Sequence, residues 1–111
     1  MPPINKVINI ATDYTEFPGG RFRRHGPGSG EEFREKFLVP LLRQRVPIII
    51  NMDGTSGYPS SFLEEAFGGL VRAGFTPEDL NGLLQFRASG GYETYARIAR
   101  SFIADAGRRV H

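Results

Sequence analysis

The sequence predicts a single α/β domain over residues 1–111, a small mixed sheet of about four strands packed with about four helices. Three observations carry that prediction. The branched apolar run Val46, Ile48, Ile49, Ile50 and Met52 has strand length and β-branched composition, and it reads as a strand buried on both faces. After a short polar loop, Phe62, Leu63, Ala66, Phe67, Leu70 and Val71 recur with the spacing of one apolar helical face. Elsewhere strand-like and helix-like stretches alternate, so strands connect through helices.

Taken in order, INKVINI (Ile4 to Ile10) alternates apolar and polar residues, the pattern of a half-buried first strand. Pro18-Gly19-Gly20 breaks the chain, and Arg21-Phe22-Arg23-Arg24 reads as a short edge strand or the arm of a hairpin. Ser29 and Glu32 have capping-box spacing, so a helix begins near Gly30, with Phe33, Phe37, Leu38 and Leu41 as its buried stripe. Pro40 predicts a kink or an early stop in its last turn. The central strand follows, and then the helix that opens at Ser60 or Ser61, with either serine able to cap it. Ala73-Gly74 closes that helix with a glycine C-cap. Thr76-Pro77-Glu78-Asp79 then reads as a cap, a first-turn proline and an acidic first turn. Leu84 to Ala88 is the last strand. A final helix follows Ser89-Gly90-Gly91, with Tyr92, Tyr95, Ala96, Ala99, Phe102, Ile103 and Ala106 on its apolar face.

The composition suits one hydrophobic core without staples, with nine phenylalanines and four tyrosines as bulk. With no cysteine, disulfides, thiolate metal sites and cysteine nucleophiles are excluded. No apolar run reaches membrane-spanning length, and a cytoplasmic protein is the expectation. The net charge is only +2, and acidic residues accompany basic ones on every predicted helix, which argues against a nucleic-acid surface.

Three constellations bear on function. Arg21, Arg23 and Arg24, with Gly28, Ser29 and Gly30 at a helix start, form a candidate nucleotide- or anion-binding loop; the plainer reading is a mobile loop whose serine caps the helix. Their pattern matches neither a Walker loop nor a dinucleotide fingerprint. His25 and His111 lack partners at metal-ligand spacing, and no nucleophile–base set stands out, so neither metal nor catalysis is expected. The third constellation is Ser60-Ser61. One hydroxyl is expected to cap the helix, and either one, exposed at a helix start, is a phosphorylation candidate beside unpaired amides.

The segment IIINMDGTSGYPSSFLEEAFGGL, preceded by GRFRRHGPGSGEEFREKF, resembles the bacterial and phage STAS-like domains of unknown function. These are divergent relatives of the STAS domain of sulphate transporters and anti-sigma factor antagonists. The resemblance covers residues 19–75, and SSFLEEAFGGL is its most specific part. In the antagonist family an aspartate–serine pair follows the central strand, and a GHKL-type ATPase kinase phosphorylates the serine to release a bound partner. The resemblance implies Ser60 as the phospho-acceptor and Ser61 as the second small residue; Pro59 stands in the aspartate's place and Phe62 in that of a frequent glycine. It further implies a single STAS-like domain acting as a non-catalytic interaction module without cofactor. Its partner would dock on Asp53, Gly54, Thr55, Ser56, Gly57, Tyr58, Glu64 and Glu65. Self-association through the aromatic last helix is a further expectation.

Overall fold

The computed structural model describes residues 5–109; Ile4, the first residue of the expected strand, and His111 lie outside them. Three strands, β1 (Lys6–Asn9), β2 (Ile48–Asn51) and β3 (Leu84–Arg87), form one sheet in sequence order, and both pairings are parallel. The register sets Lys6 beside Ile48 and Ile48 beside Leu84. The expected mixed, roughly four-stranded sheet is therefore corrected among the described residues. The candidate extra strand near Arg21 is instead a bend followed by a single 3₁₀ turn, Arg23–His25. Pro18, Gly19 and Gly20 leave it no regular ladder to join.

Parallel strands in the order 1-2-3 require two crossovers that step in the same direction. Right-handed crossovers of that kind lay their helices on one face of the sheet. Burial follows this rule. Ile8, Ile48, Ile50 and Leu84 point inward and are buried, whereas Val7 is 41% exposed and Ile49 only half-buried on the opposite face. The central strand is thus covered on one face, not two. A run of isoleucines reads alike in both cases, because alternation is invisible when both faces are apolar.

Helix α1 (residues 30–43) and helix α2 (residues 60–72) each contain a widened turn. In α1, Gly30–Phe33 and Val39–Arg43 flank a π-helical stretch, Arg34–Leu38, where the Val39 amide donates to the Arg34 carbonyl five residues back. Pro40 has no amide to donate and its ring crowds the preceding turn. The extra residue per turn accommodates it, and the helix runs on to Arg43 instead of stopping. Helix α2 has its own π stretch, Glu64–Gly68, between Ser60–Leu63 and Gly69–Arg72. Gly74, at φ 113°, ends α2, with the Phe75 amide donating to the Leu70 carbonyl at 3.1 Å, as its glycine predicts. Helix α3 (Pro77–Leu83) is capped by Thr76 Oγ1, which accepts from the Asp79 amide, and α4 (Glu93–Arg109) is the long final helix.

The core lies between the sheet and the helices. Phe62, Leu63, Ala66, Phe67 and Leu70 of α2 are all fully buried, each large side chain contributing about 1.5–3 kcal/mol. Phe33 of α1 lies 6.0 Å from Phe62 and 6.3 Å from Phe67 between ring centroids, and Phe67 meets Phe86 of β3 edge-on at 5.1 Å. Ala99, Ile103 and Ala106 of α4 close the core. The rest of the apolar face of α4, with Tyr92, Tyr95, Ile98 and Phe102, is half-buried against this core.

The crossing of α1 over α2 depends on Gly30, where an added Cβ would stand 2.5 Å from the Phe62 carbonyl oxygen. Gly30→Ala is expected to destabilise the fold by about 1–3 kcal/mol, since backbone cannot yield as a flexible side chain can. Gly82 in α3 has open space around it, so Gly82→Ala is expected to stabilise by up to about 1 kcal/mol. Urea denaturation of the two variants measures the contrast.

Candidate functional site

The loop between β2 and α2 leaves the C-terminal end of the middle strand, where open parallel sheets place their ligand sites. Much of it is pinned from below. The Asp53 carboxylate accepts from the Ser89 amide (2.9 Å) and hydroxyl (2.6 Å), tying this loop to the one after β3. The Thr55 carbonyl accepts from the Tyr92 hydroxyl, and Thr55 Oγ1 accepts from the Gly57 amide at 3.2 Å. Tyr58 is buried and donates to the Met52 carbonyl at 2.7 Å; burial pushes its phenol well above the ordinary tyrosine range. Gly54 and Gly57 take φ of 95° and 115°, values that favour glycine. A second loop braces the first, because the Ser56 amide donates to the Glu16 carbonyl at 2.8 Å.

The pinning decides which expected site residues face outward. Gly54, Ser56, Pro59 and Ser60 are exposed, and Gly57 and Ser61 are half-buried. Thr55 and Tyr58 are buried and support the loop from within, which corrects their expected role as partner contacts. Asp53 is committed to Ser89.

Neither serine caps α2. Pro59 occupies the N-cap, and no side chain there accepts from the first turn. The backbone places Ser60 and Ser61 one and two residues too late, inside the helix, so the expected capping role is overturned. Their hydroxyls are left for other uses. At α1 the same pattern succeeds, for Ser29 Oγ accepts from the Glu32 amide at 3.0 Å.

The glycine-rich loop before α1 closes itself. The Gly30 amide donates to the Gly20 carbonyl (3.0 Å) and the Glu31 amide to the Arg21 carbonyl (3.0 Å), while Gly28, Ser29 and Gly30 are buried. The Gly30 amide is thus already bonded within the loop, with Gly28 and Ser29 enclosed beside it, where an anion cradle was expected. Arg23 and Arg24 remain exposed, with the Arg24 guanidinium 4.6 Å from the Phe22 ring centroid.

Arg21 turns inward to a five-residue ion cluster that the sequence reading did not contain. Arg21 donates to Glu64 and to Glu65 (3.0 Å), Arg34 to Glu65 Oε2 (2.6 Å), and Arg72 to both Glu64 oxygens (2.7 and 2.9 Å). Arg34 Nη1 also donates to the Glu65 carbonyl at 2.7 Å. That carbonyl is available because the π turn draws the Gly69 amide to Glu64 instead. Gly68 and Gly69 make the room, since a Cβ on Gly69 would stand within 2.2 Å of Arg34 Nη1. Glu64 and Glu65, expected among the partner contacts, thus serve within the fold as counter-ions to three arginines. Hydrogen bonds from Arg72, against the opposing effect of burial, and then from Arg21 hold the Glu64 carboxyl at about 2. Burial alone would raise the Glu65 carboxyl, but Arg34 and Arg21 outweigh it and hold it below the ordinary range.

Around this site the fold defines a class: a small parallel α/β domain with loops gathered at the C-terminal ends of its strands. The family comparison is more specific. The chain belongs to the STAS-like domains of unknown function (DUF4325), whose family model matches residues 29–90, more than half its length. The matched stretch runs from the Ser29 cap to Gly90 and includes α1, β2, the loop with Ser60, α2 and β3. No curated protein and no solved structure matches the chain. Among the described residues, no helix is long and apolar enough to cross a membrane.

Both carboxyls of the cluster titrate lower in the folded chain than in the unfolded one, so they stabilise the fold above about pH 4.5. That contribution is expected to fade as pH falls from about 4.5 through about 2, with Glu64→Gln flattening the acid limb in a pH series of urea titrations. Arg34→Ala removes the shortest ion pair to the buried Glu65 carboxylate, leaving Arg21 as its main partner, and is expected to cost up to about 3–5 kcal/mol. Arg72→Ala, at a site 43% exposed, is expected to cost clearly less in the same measurement.

Proposed function

We propose that this STAS-like domain is a non-catalytic regulatory module of the cytoplasm that docks a protein partner at the loop and helix start spanning residues 54–61. Phosphorylation of Ser60 by a GHKL-type ATPase kinase would control the docking. The observation that carries the reading is Ser60 itself: exposed, in the first turn of α2, with its hydroxyl unspent on capping. A kinase needs an accessible hydroxyl on a segment it can seat, and Gly54, Ser56 and Pro59 are exposed beside it.

The electrostatics of the helix start favour the modified form. Pro59 supplies no side-chain acceptor, and the Leu63 amide already donates to its carbonyl at 3.2 Å. A phosphate on Ser60 would add acceptor oxygens and negative charge at the positive end of the helix dipole. The helix would survive while its outward face went from neutral to negative, which suits a switch read by a partner. The rigid base formed by Thr55, Tyr58 and the ion cluster keeps that change local. Pro59, in the position where the antagonist family has aspartate, points to a kinase with its own recognition of the loop.

Incubation with a GHKL-type ATPase and ATP is expected to add one phosphoryl group by intact-mass measurement. The addition should be lost in Ser60→Ala and kept in Ser61→Ala. Ser60→Glu is expected to weaken partner binding about tenfold, equivalent to about 1.4 kcal/mol. No mass change together with unaltered binding by Ser60→Glu would refute the switch.

A further inference from the structure

We propose that a pocket beside this loop receives a cationic side chain of the docking partner, arginine in preference to lysine. The pocket has a volume of about 250 Å³ and is walled by Ser56 and Gly57 on one side and by Gly90, Gly91, Tyr92 and Tyr95 on the other. It stands at the C-terminal ends of β2 and β3, where the two loops are joined through Asp53 and Ser89.

Its walls are fixed before any ligand arrives. Tyr92 is held by its bond to the Thr55 carbonyl, and Tyr95 packs edge-on against the buried Tyr58 ring at 5.1 Å. The Tyr92 and Tyr95 rings meet in a tilted contact, 5.9 Å between centroids at 50°, and together form one aromatic wall. Gly57, Gly90 and Gly91, at φ of 115°, 57° and 95°, put no side chain into the space. At Gly57 a Cβ would come within 2.9 Å of the Tyr95 hydroxyl.

Charge selects the occupant. No lining residue is charged; the Glu93 carboxylate accepts from the Gly91 amide of the wall at 2.8 Å, and Asp53 lies behind it, bonded to Ser89 next to Gly90 in the chain. Arg97, one turn along α4, is directed to Thr94 Oγ1 at 3.2 Å. Aromatic rings attract cations through their quadrupole, and desolvation in a pocket strengthens the attraction. A guanidinium adds a planar face for the tyrosines and a forked donor set for a carboxylate, which an ammonium lacks. A phosphate or carboxylate ligand would be repelled here.

The inference rests on the reading of this loop as a docking surface, but its test needs no kinase. The full chain, labelled with ¹⁵N, is titrated with a blocked Gly-Arg-Gly peptide and with the same peptide carrying citrulline, the neutral isostere. Saturable shifts at the Gly57, Gly90 and Gly91 amides are expected, about tenfold weaker with citrulline. Tyr95→Leu, which keeps an apolar wall, and Glu93→Gln, which keeps the acceptor for Gly91, should each weaken the response several-fold. Should Tyr95→Leu fail to fold, the exposed Glu93→Gln decides. Equal response to citrulline, stronger response to a triproline peptide, or no saturable shift at those glycines overturns the proposal. That failure would leave phosphorylation of Ser60 standing, and a failed kinase experiment would leave the pocket standing.

Discussion

Helix α1 runs so near α2 that the backbone at Gly30 almost touches the carbonyl of Phe62, and the rest of the molecule is arranged to permit this. At that separation Arg34 reaches across to the Glu65 carboxylate and to its main-chain carbonyl. A guanidinium so enclosed demands an anion, and Glu65 in turn needs more than one donor. Arg21 and Arg72 supply the balance around Glu64 and Glu65. The widened turn in α2 brings these two successive glutamates to one guanidinium, Arg21, and frees the carbonyl that Arg34 takes. Gly68-Gly69, unfavourable in a helix interior by propensity, is the space this cluster occupies.

This anchoring has a consequence for the loop that precedes α2. The first turn of the helix is held by the cluster on one side and by Phe62 and Leu63 in the core on the other. Its outer side is bare. Thr55 and Tyr58 draw the loop down onto the ends of the strands, while Ser56, Pro59 and Ser60 are left facing out. A surface braced in this way is rigid, so a change of charge there would leave its shape largely intact.

The one-sided sheet follows from topology. Two crossovers in the same direction stack the helices over Ile8, Ile48, Ile50 and Leu84 and leave the face with Val7 and Ile49 more open. The same topology sends the loops after β2 and β3 to one end of the sheet, where Asp53 and Ser89 lock them together. The tyrosine-lined pocket lies on that junction. Tyr92 and Tyr95 look like ordinary members of an apolar helical stripe in the sequence. Gly90-Gly91 immediately before them was the only local sign that bulk is kept away there.

Local chemistry was legible wherever a residue acts on its own neighbours. Ser29 capping α1, Gly74 ending α2, Thr76 and Pro77 opening α3, and the apolar stripe of α2 all follow from spacing, since their partners lie within a turn or two. The family resemblance was likewise visible in the residues around Ser60. What needed the fold was every decision that joins distant segments: whether β2 is covered on one face or two, that Arg21 pairs with Glu64 and Glu65, and that Pro59 displaces both serines from the cap. Those outcomes depend on helix register and on charges more than thirty residues apart meeting at low dielectric, and no local pattern encodes such distances.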